Sequence, residues 1–211
     1  MRPNAHLFAS ALLSLAMAHP CLAIRSRPVP APDGPLGNVA AEFHEYEVIV
    51  EPERNEAEWW AGAPSVVWDR SGTFWLACRM RTAEAPRGLR GYEIRILRSA
   101  DGIHFEKVHS IRREDVPIPG FERPALLIDP KTGLFKLYAC GPWQDGPWSI
   151  IKFADAVDPT AFDPRSAKVV IAPLPKSDDR DVIPNEYKDP VIICAQGVCH
   201  CYVIGVMRRT E

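Results

Sequence analysis

Two carboxylates in this 211-residue chain occupy matching places, Glu122 in Glu122-Arg123-Pro124-Ala125 and Asp189 in Lys188-Asp189-Pro190-Val191. A pair of carboxyl groups can work as acid and base when one is kept protonated and the other ionised, which takes different surroundings for each. Arg123 and Lys188 stand beside them. A cation there holds a carboxylate ionised, or binds a carboxylate or phosphate of a ligand. The plainer alternative for Glu122 is a structural salt bridge to Arg123 or to a neighbouring unit. Trp59 and Trp60 lead into a similar Pro-headed run and offer flat apolar faces, although large aromatics serve equally as core. Arg79 and Arg81 share one face of a strand by alternation, either as ion-pair partners or as an anion-binding pair.

Other chemistries find no support. Cys194, Cys199, His200 and Cys201 lack zinc-site spacing: Cys199 and Cys201 share a strand face, His200 points to the other, and no Cys-x-x-Cys pair exists. A Cys194–Cys199 disulfide or plain burial fits better. There is no Gly-x-Ser-x-Gly elbow, Walker loop, dinucleotide fingerprint or His-Glu-x-x-His helix, so no cofactor and no metal is implied. A net charge of -2 lacks the basic excess that grips nucleic acid.

The elements that must position these residues read as strands. Tyr46–Val50 and Tyr92–Leu97 alternate, Ala125–Ile128 and Val191–Cys194 are short apolar runs, and no helical stripe is sustained after the N-terminus. The strands repeat. Ala63-Pro64-Ser65-Val66-Val67-Trp68 with its turn to Gly72 aligns with Arg123-Pro124-Ala125-Leu126-Leu127-Ile128 and a turn to Gly133, then with Asp189-Pro190-Val191-Ile192-Ile193-Cys194 and a turn to Gly197. The prolines stand 124 - 64 = 60 and 190 - 124 = 66 positions apart. In the first copy a third strand, a hairpin at Asp101-Gly102 expected as a tight type I′ turn, and a fourth strand near Glu106 to Ile111 come next. Four antiparallel strands in about sixty residues is the arithmetic of a β-propeller blade. The fold expected is therefore all-β, with units at 41–115, 116–180 and an incomplete 181–211. About two and a half blades leave open sheet edges, which suggests the N-terminal portion of a longer protein; a small β-sandwich of about ten strands is the alternative.

The first 40 residues read differently. Arg2, the apolar Leu7–Met17 and Ala16-Met17-Ala18 form a secretory signal over 1–18, and Pro20 stops a buried helix from continuing. Residues 19–40 form a Pro-rich leader, and Pro20 before Cys21 argues against a lipid anchor. These features predict a secreted or periplasmic protein, without a membrane anchor after cleavage. The other five cysteines are an odd number, against a systematic disulfide framework.

Gly62-Ala63-Pro64-Ser65, Glu122-Arg123-Pro124-Ala125, Lys188-Asp189-Pro190-Val191 and the hairpin Ser99–Phe105 resemble the five-bladed β-propeller glycosidases, the superfamily of arabinanases, xylosidases, invertases and mannoside phosphorylases. Trp59-Trp60-Ala61-Gly62-Ala63-Pro64 is similar to glycosidase-like proteins with a Trp-Trp-x-Gly-x-Pro opening. The resemblance covers residues 41–206 and implies a carbohydrate ligand and glycoside hydrolysis by paired carboxylates across the scissile bond. It implies Glu122 and Asp189 as the catalytic pair, with Trp59, Trp60, Arg123 and Lys188 shaping the sugar site; Arg79 and Arg81, from their shared strand face, are added as candidate substrate-binding residues. One departure stands out: the arabinanase and xylosidase branch opens its first blade with Asp-Pro, the Asp acting as base, where this chain has Ala63-Pro64. Glu58, in the loop before it, is the candidate substitute. A noncatalytic sugar-binding propeller and an inactive fragment are the competing expectations.

Overall fold

The computed structural model describes residues 46–86, 89–173 and 184–207. The signal sequence and leader expected over 1–40, Cys21 and the closing residues 208–211 lie outside the described residues. The chain divides into Met1–Glu47 and Val48–Glu211, and every described strand lies in the second unit.

Among the described residues, ten strands fall into three antiparallel sheets. The first holds β1 (Trp60–Trp68), β2 (Phe74–Arg81), β3 (Gly91–Ser99) and β4 (Glu106–Arg112) in that order. The second repeats the pattern with β5 (Ala125–Ile128), β6 (Phe135–Pro142), β7 (Trp148–Lys152) and β8 (Lys168–Ile171). A third pairs β9 (Glu186–Ala195) with β10 (Val198–Val206). No α-helix occurs among the described residues, only single 3-10 turns such as Arg113–Asp115 and Trp143–Asp145. These are the blades of a β-propeller. The first strands lie side by side, β1 against β5 and β5 against β9.

The turn glycines show why the repeats fold alike. Gly72, Gly133 and Gly197 each take a positive φ, between +72° and +88°, to close the first hairpin of their sheet. A side chain at that φ would be strained, so each copy needs glycine there. Asp69 secures the first of these turns by accepting from the Ser71 and Thr73 backbone N–H groups and from Trp75 Nε1.

Both faces of the middle strands β3 and β7 are covered: Ile94, Ile96 and Ile151 are completely buried in the principal core and Ile150 in a separate cluster with Cys140 and Trp148. The principal core lies between the first two blades: Trp75, Ile94, Ile96 and Ile111 meet Leu126, Leu137, Ile151 and Phe153, with Val116, Ile118 and Phe121 of the linker closing it. Each such side chain contributes roughly 1.5–3 kcal/mol through burial. Ser65 Oγ clasps the two inner strands, accepting from Leu126 N at 2.9 Å and donating to Leu126 O at 3.2 Å.

Two sequence expectations need correction. Tyr46–Val50 forms no strand: Tyr46 and Val48 are exposed, and of this run Val50 packs against the Leu76, Met80 and Tyr92 cluster. An alternating run becomes a strand only when a neighbouring strand accepts its hydrogen bonds. Nor is Asp101-Gly102 a two-residue type I′ turn, since Gly102 alone of the pair has a positive φ. The connection runs from Ala100 to Phe105, and the Asp101 carboxylate caps it by accepting from Ile103 and His104 N–H at 2.9 and 2.8 Å. Side-chain capping supplies what a tight turn would have supplied through backbone bonds.

Candidate functional site

The prolines heading the repeats shape the site because proline cannot donate to a sheet ladder. The β1–β2 register shifts between Gly62 and Ser65, and the β9–β10 register shifts opposite Asp189-Pro190. At both bulges the residue before proline is left-handed, Ala63 and Asp189 each at φ 51°. Aspartate tolerates that region far better than a bulky side chain, since its short polar group bonds locally. In the second copy β5 starts only after Pro124, and Glu122 N–H donates instead to the Cys140 carbonyl at 2.9 Å.

These irregular openings line one cleft of about 500 Å³. Trp60, Ala63 and Arg79 come from the first blade, Glu122 and Arg123 from the second opening, and Asp189 from the third. Tyr202, Val203 and Ile204 of β10, the partner strand of β9, complete the lining. Asp189 N–H meets Cys140 Sγ at 3.2 Å, which anchors the third opening on β6.

The electrostatics run from blade to blade. Arg79 Nη1 forms an ion pair with the Glu122 carboxylate, and its guanidinium lies over the Trp60 ring at 4.5 Å. Arg79 is 8 % exposed. Burial pushes its guanidinium down to about 10; Arg81 and Arg123 act in the same direction, and Asp189 opposes them. Glu122 thus pairs with a neighbouring blade rather than with Arg123. Among the described residues, no hydrogen bond or ion pair engages the side chain of Arg123 or of Asp189.

The remaining expected site residues lie elsewhere. Trp59 points into the cluster of Leu76, Met80 and Tyr92, under Arg54 at 4.6 Å, and does not line the cleft. Adjacent residues on an extended chain face opposite ways, so only one of the two tryptophans can reach the cleft. Trp60 reaches it, with its ring already in contact with two neighbours. Its six-membered ring lies over Gly62, where a Cβ would come within 2.2 Å, and Arg79 covers it as well. Arg81 also approaches the ring, at 5.6 Å, and pairs with Glu58 at 2.8 Å. Glu58 is occupied by Arg81 and Arg90 and lines no part of the cleft, so it does not replace the missing first-blade aspartate. Lys188 sits over Trp148 at 4.0 Å and pairs with Glu186 at 3.3 Å, outside the cleft lining. It alternates with Asp189 and therefore faces away.

Sequence reasoning missed the β10 wall. Nothing in the residue types of Tyr202-Val203-Ile204 distinguishes it, and only the bulge opposite brings three consecutive residues to the cleft. Cys194 and Cys199 form a disulfide across the β9–β10 hairpin, while Cys201 is free and exposed. No group of three or more His, Cys, Asp or Glu placed to hold a metal occurs among the described residues.

No family model and no curated protein sequence matches the chain. Solved structures do. A GH43 β-xylosidase/α-arabinofuranosidase from a compost microbial metagenome, in complex with xylotriose, superposes with a TM-score of 0.51 at 12% identity, covering 73% of this chain and 44% of that one. The RS223 β-xylosidase gives a TM-score of 0.50 at 10% identity, covering 69% and 44%. The chain therefore shares the fold of part of these two structures and spans less than half the length of each.

Proposed function

We propose that the chain is an exported, carbohydrate-active, glycoside hydrolase-like protein whose cleft cleaves a glycosidic bond with Glu122 and Asp189. The observation that carries this is their convergence: two carboxylates from separate blade openings line one cleft. Glycoside hydrolysis calls for an ionised carboxylate and a proton donor on either side of the bond. Glu122, paired with Arg79, is the group kept ionised to activate water or attack carbon. Asp189, with no ion-pair partner among the described residues, is left for the proton-donating role. The blade architecture shared with the β-xylosidases supports the choice of sugar as ligand.

The test is turnover of a panel of chromogenic glycosides by wild type, Glu122→Gln and Asp189→Asn. Asparagine is the right replacement at 189 because it also tolerates a positive φ. Each variant is expected to lose more than about 100-fold in kcat, the scale of a general acid–base contribution. Unchanged turnover in both removes the assignment. Export is checked by intact mass of the mature protein, expected to begin at His19.

A noncatalytic sugar-binding role is favoured by one observation, Ala63 at the cleft position where a carboxylate would complete the site. Ala63→Asp separates the two. The aspartate suits the left-handed backbone there and adds a carboxylate, so turnover that first appears in the variant marks wild type as a binder, and turnover already present in wild type marks it as an enzyme.

A further inference from the structure

We propose that the cleft selects a carboxylate-bearing sugar, a uronic acid residue whose carboxylate is held by the guanidinium groups of Arg123 and Arg79. The inference rests on the carbohydrate role of the cleft and names the class of sugar.

Two guanidinium groups in this cleft are incompletely used. Arg79, 8 % exposed, spends Nη1 on Glu122, while its Nε is buried and meets no acceptor among the described residues. An arginine has five N–H donors and no acceptor, so a buried one left short leaves a charged donor unsatisfied, a costly state. Arg123 lines the same cleft, half-buried, with its side chain unbonded among the described residues. Arg81, the third guanidinium near Trp60, is already answered by Glu58.

The crowding has a direction. Burial, Arg81 and Arg123 all favour loss of the Arg79 proton while Asp189 opposes them, so the unpaired Arg123 guanidinium stands beside a buried cation in the same cleft. A bound anion reverses that. Neutral sugar hydroxyls would accept hydrogen bonds from these groups but would leave Arg123 without an ion-pair partner. A planar carboxylate answers it and matches the arginine fork with two parallel bonds. Asp189 lines the third opening as the proton donor, so the glycosidic oxygen lies toward Asp189 and the sugar's acidic group toward Arg123 and Arg79.

The experiment is calorimetric titration of the full chain with methyl galacturonoside and methyl glucuronoside, with the neutral methyl galactoside and methyl glucoside, and with inorganic phosphate. Either uronide is expected to bind at least tenfold more tightly than its neutral counterpart, with the advantage shrinking as salt rises. Arg123→Gln should remove the advantage, and Arg123→Lys, which keeps the charge but not the fork, should retain only part of it. The thermal midpoint of each variant shows that it is folded. Equal or tighter binding of the neutral sugars overturns the inference while leaving the carbohydrate role intact. Phosphate binding without a uronide advantage also overturns it, and marks the arginines as an inorganic anion site. If no sugar binds at all, the carbohydrate role fails together with the inference.

Discussion

Arg79 reaches Glu122 from β2, across the boundary between the first two blades, while Asp189 approaches the same cleft on a left-handed bulge. Removing only one member of a partly buried ion pair leaves the other charge uncompensated, which typically costs 3–5 kcal/mol. Arg79→Met should therefore destabilise the protein by about 3 kcal/mol, and adding Glu122→Gln should recover part of that loss. Urea unfolding of the four proteins in this double-mutant cycle measures it, and additive losses would count against the pairing. A second buried acid governs behaviour at low pH. Burial alone would raise Glu93, but hydrogen bonds from Arg95 and Ser110, together with the charges of Arg95 and Lys107, outweigh it and hold the carboxyl below its ordinary value of 4.5. With the folded value below the unfolded one, its contribution is whole above that ordinary value and is lost as pH falls through the lowered one. Wild type should thus lose stability on acidification below about pH 4.5 more steeply than Glu93→Gln, which starts about 3 kcal/mol less stable at pH 7. Thermal midpoints between pH 7 and 3 test both slopes.

The elements are secured at their inner strands. Ser65 Oγ bonds both the N–H and the carbonyl of Leu126, so one hydroxyl joins β1 to β5 near the bulge that carries Ala63. Ser65→Ala should cost about 1–2 kcal/mol, since two partly buried backbone groups lose their partner. It should also weaken sugar binding by loosening the first wall of the cleft against the second. Circular dichroism melts and the same titrations read the two effects, and a melt identical to wild type would show that the hydroxyl clasp carries no weight. Strand identity at this scale was legible in the sequence. Ala125–Ile128 and the run over Tyr92–Leu97 correspond to β5 and the heart of β3, because a short apolar, β-branched run marks a strand whether one face or both are covered. Tyr46–Val50 had the same alternation and no partner strand, so the period alone misled.

At the scale of the molecule, the cleft belongs to no single sheet. Its walls are the openings of three successive repeats and the face of β10. A bound sugar should therefore slow amide hydrogen exchange together in 60–63, 121–123 and 187–191, three segments distant in sequence, and leave β4 and β8 unchanged. Protection confined to one segment would mean that the ligand sits elsewhere. The repeat of proline, strand, glycine turn and strand was readable from the chain by itself, as were the carboxylates at its head, because those features depend on neighbours a few residues away. Only the tertiary structure decided that Glu122 answers Arg79 rather than Arg123, that Trp60 faces the cleft while Trp59 packs inward, and that Lys188 turns from it toward Trp148. Those outcomes depend on the sense of each bulge and on how one blade leans on the next, and no local pattern encodes a contact between strands that meet only when separate sheets pack side by side.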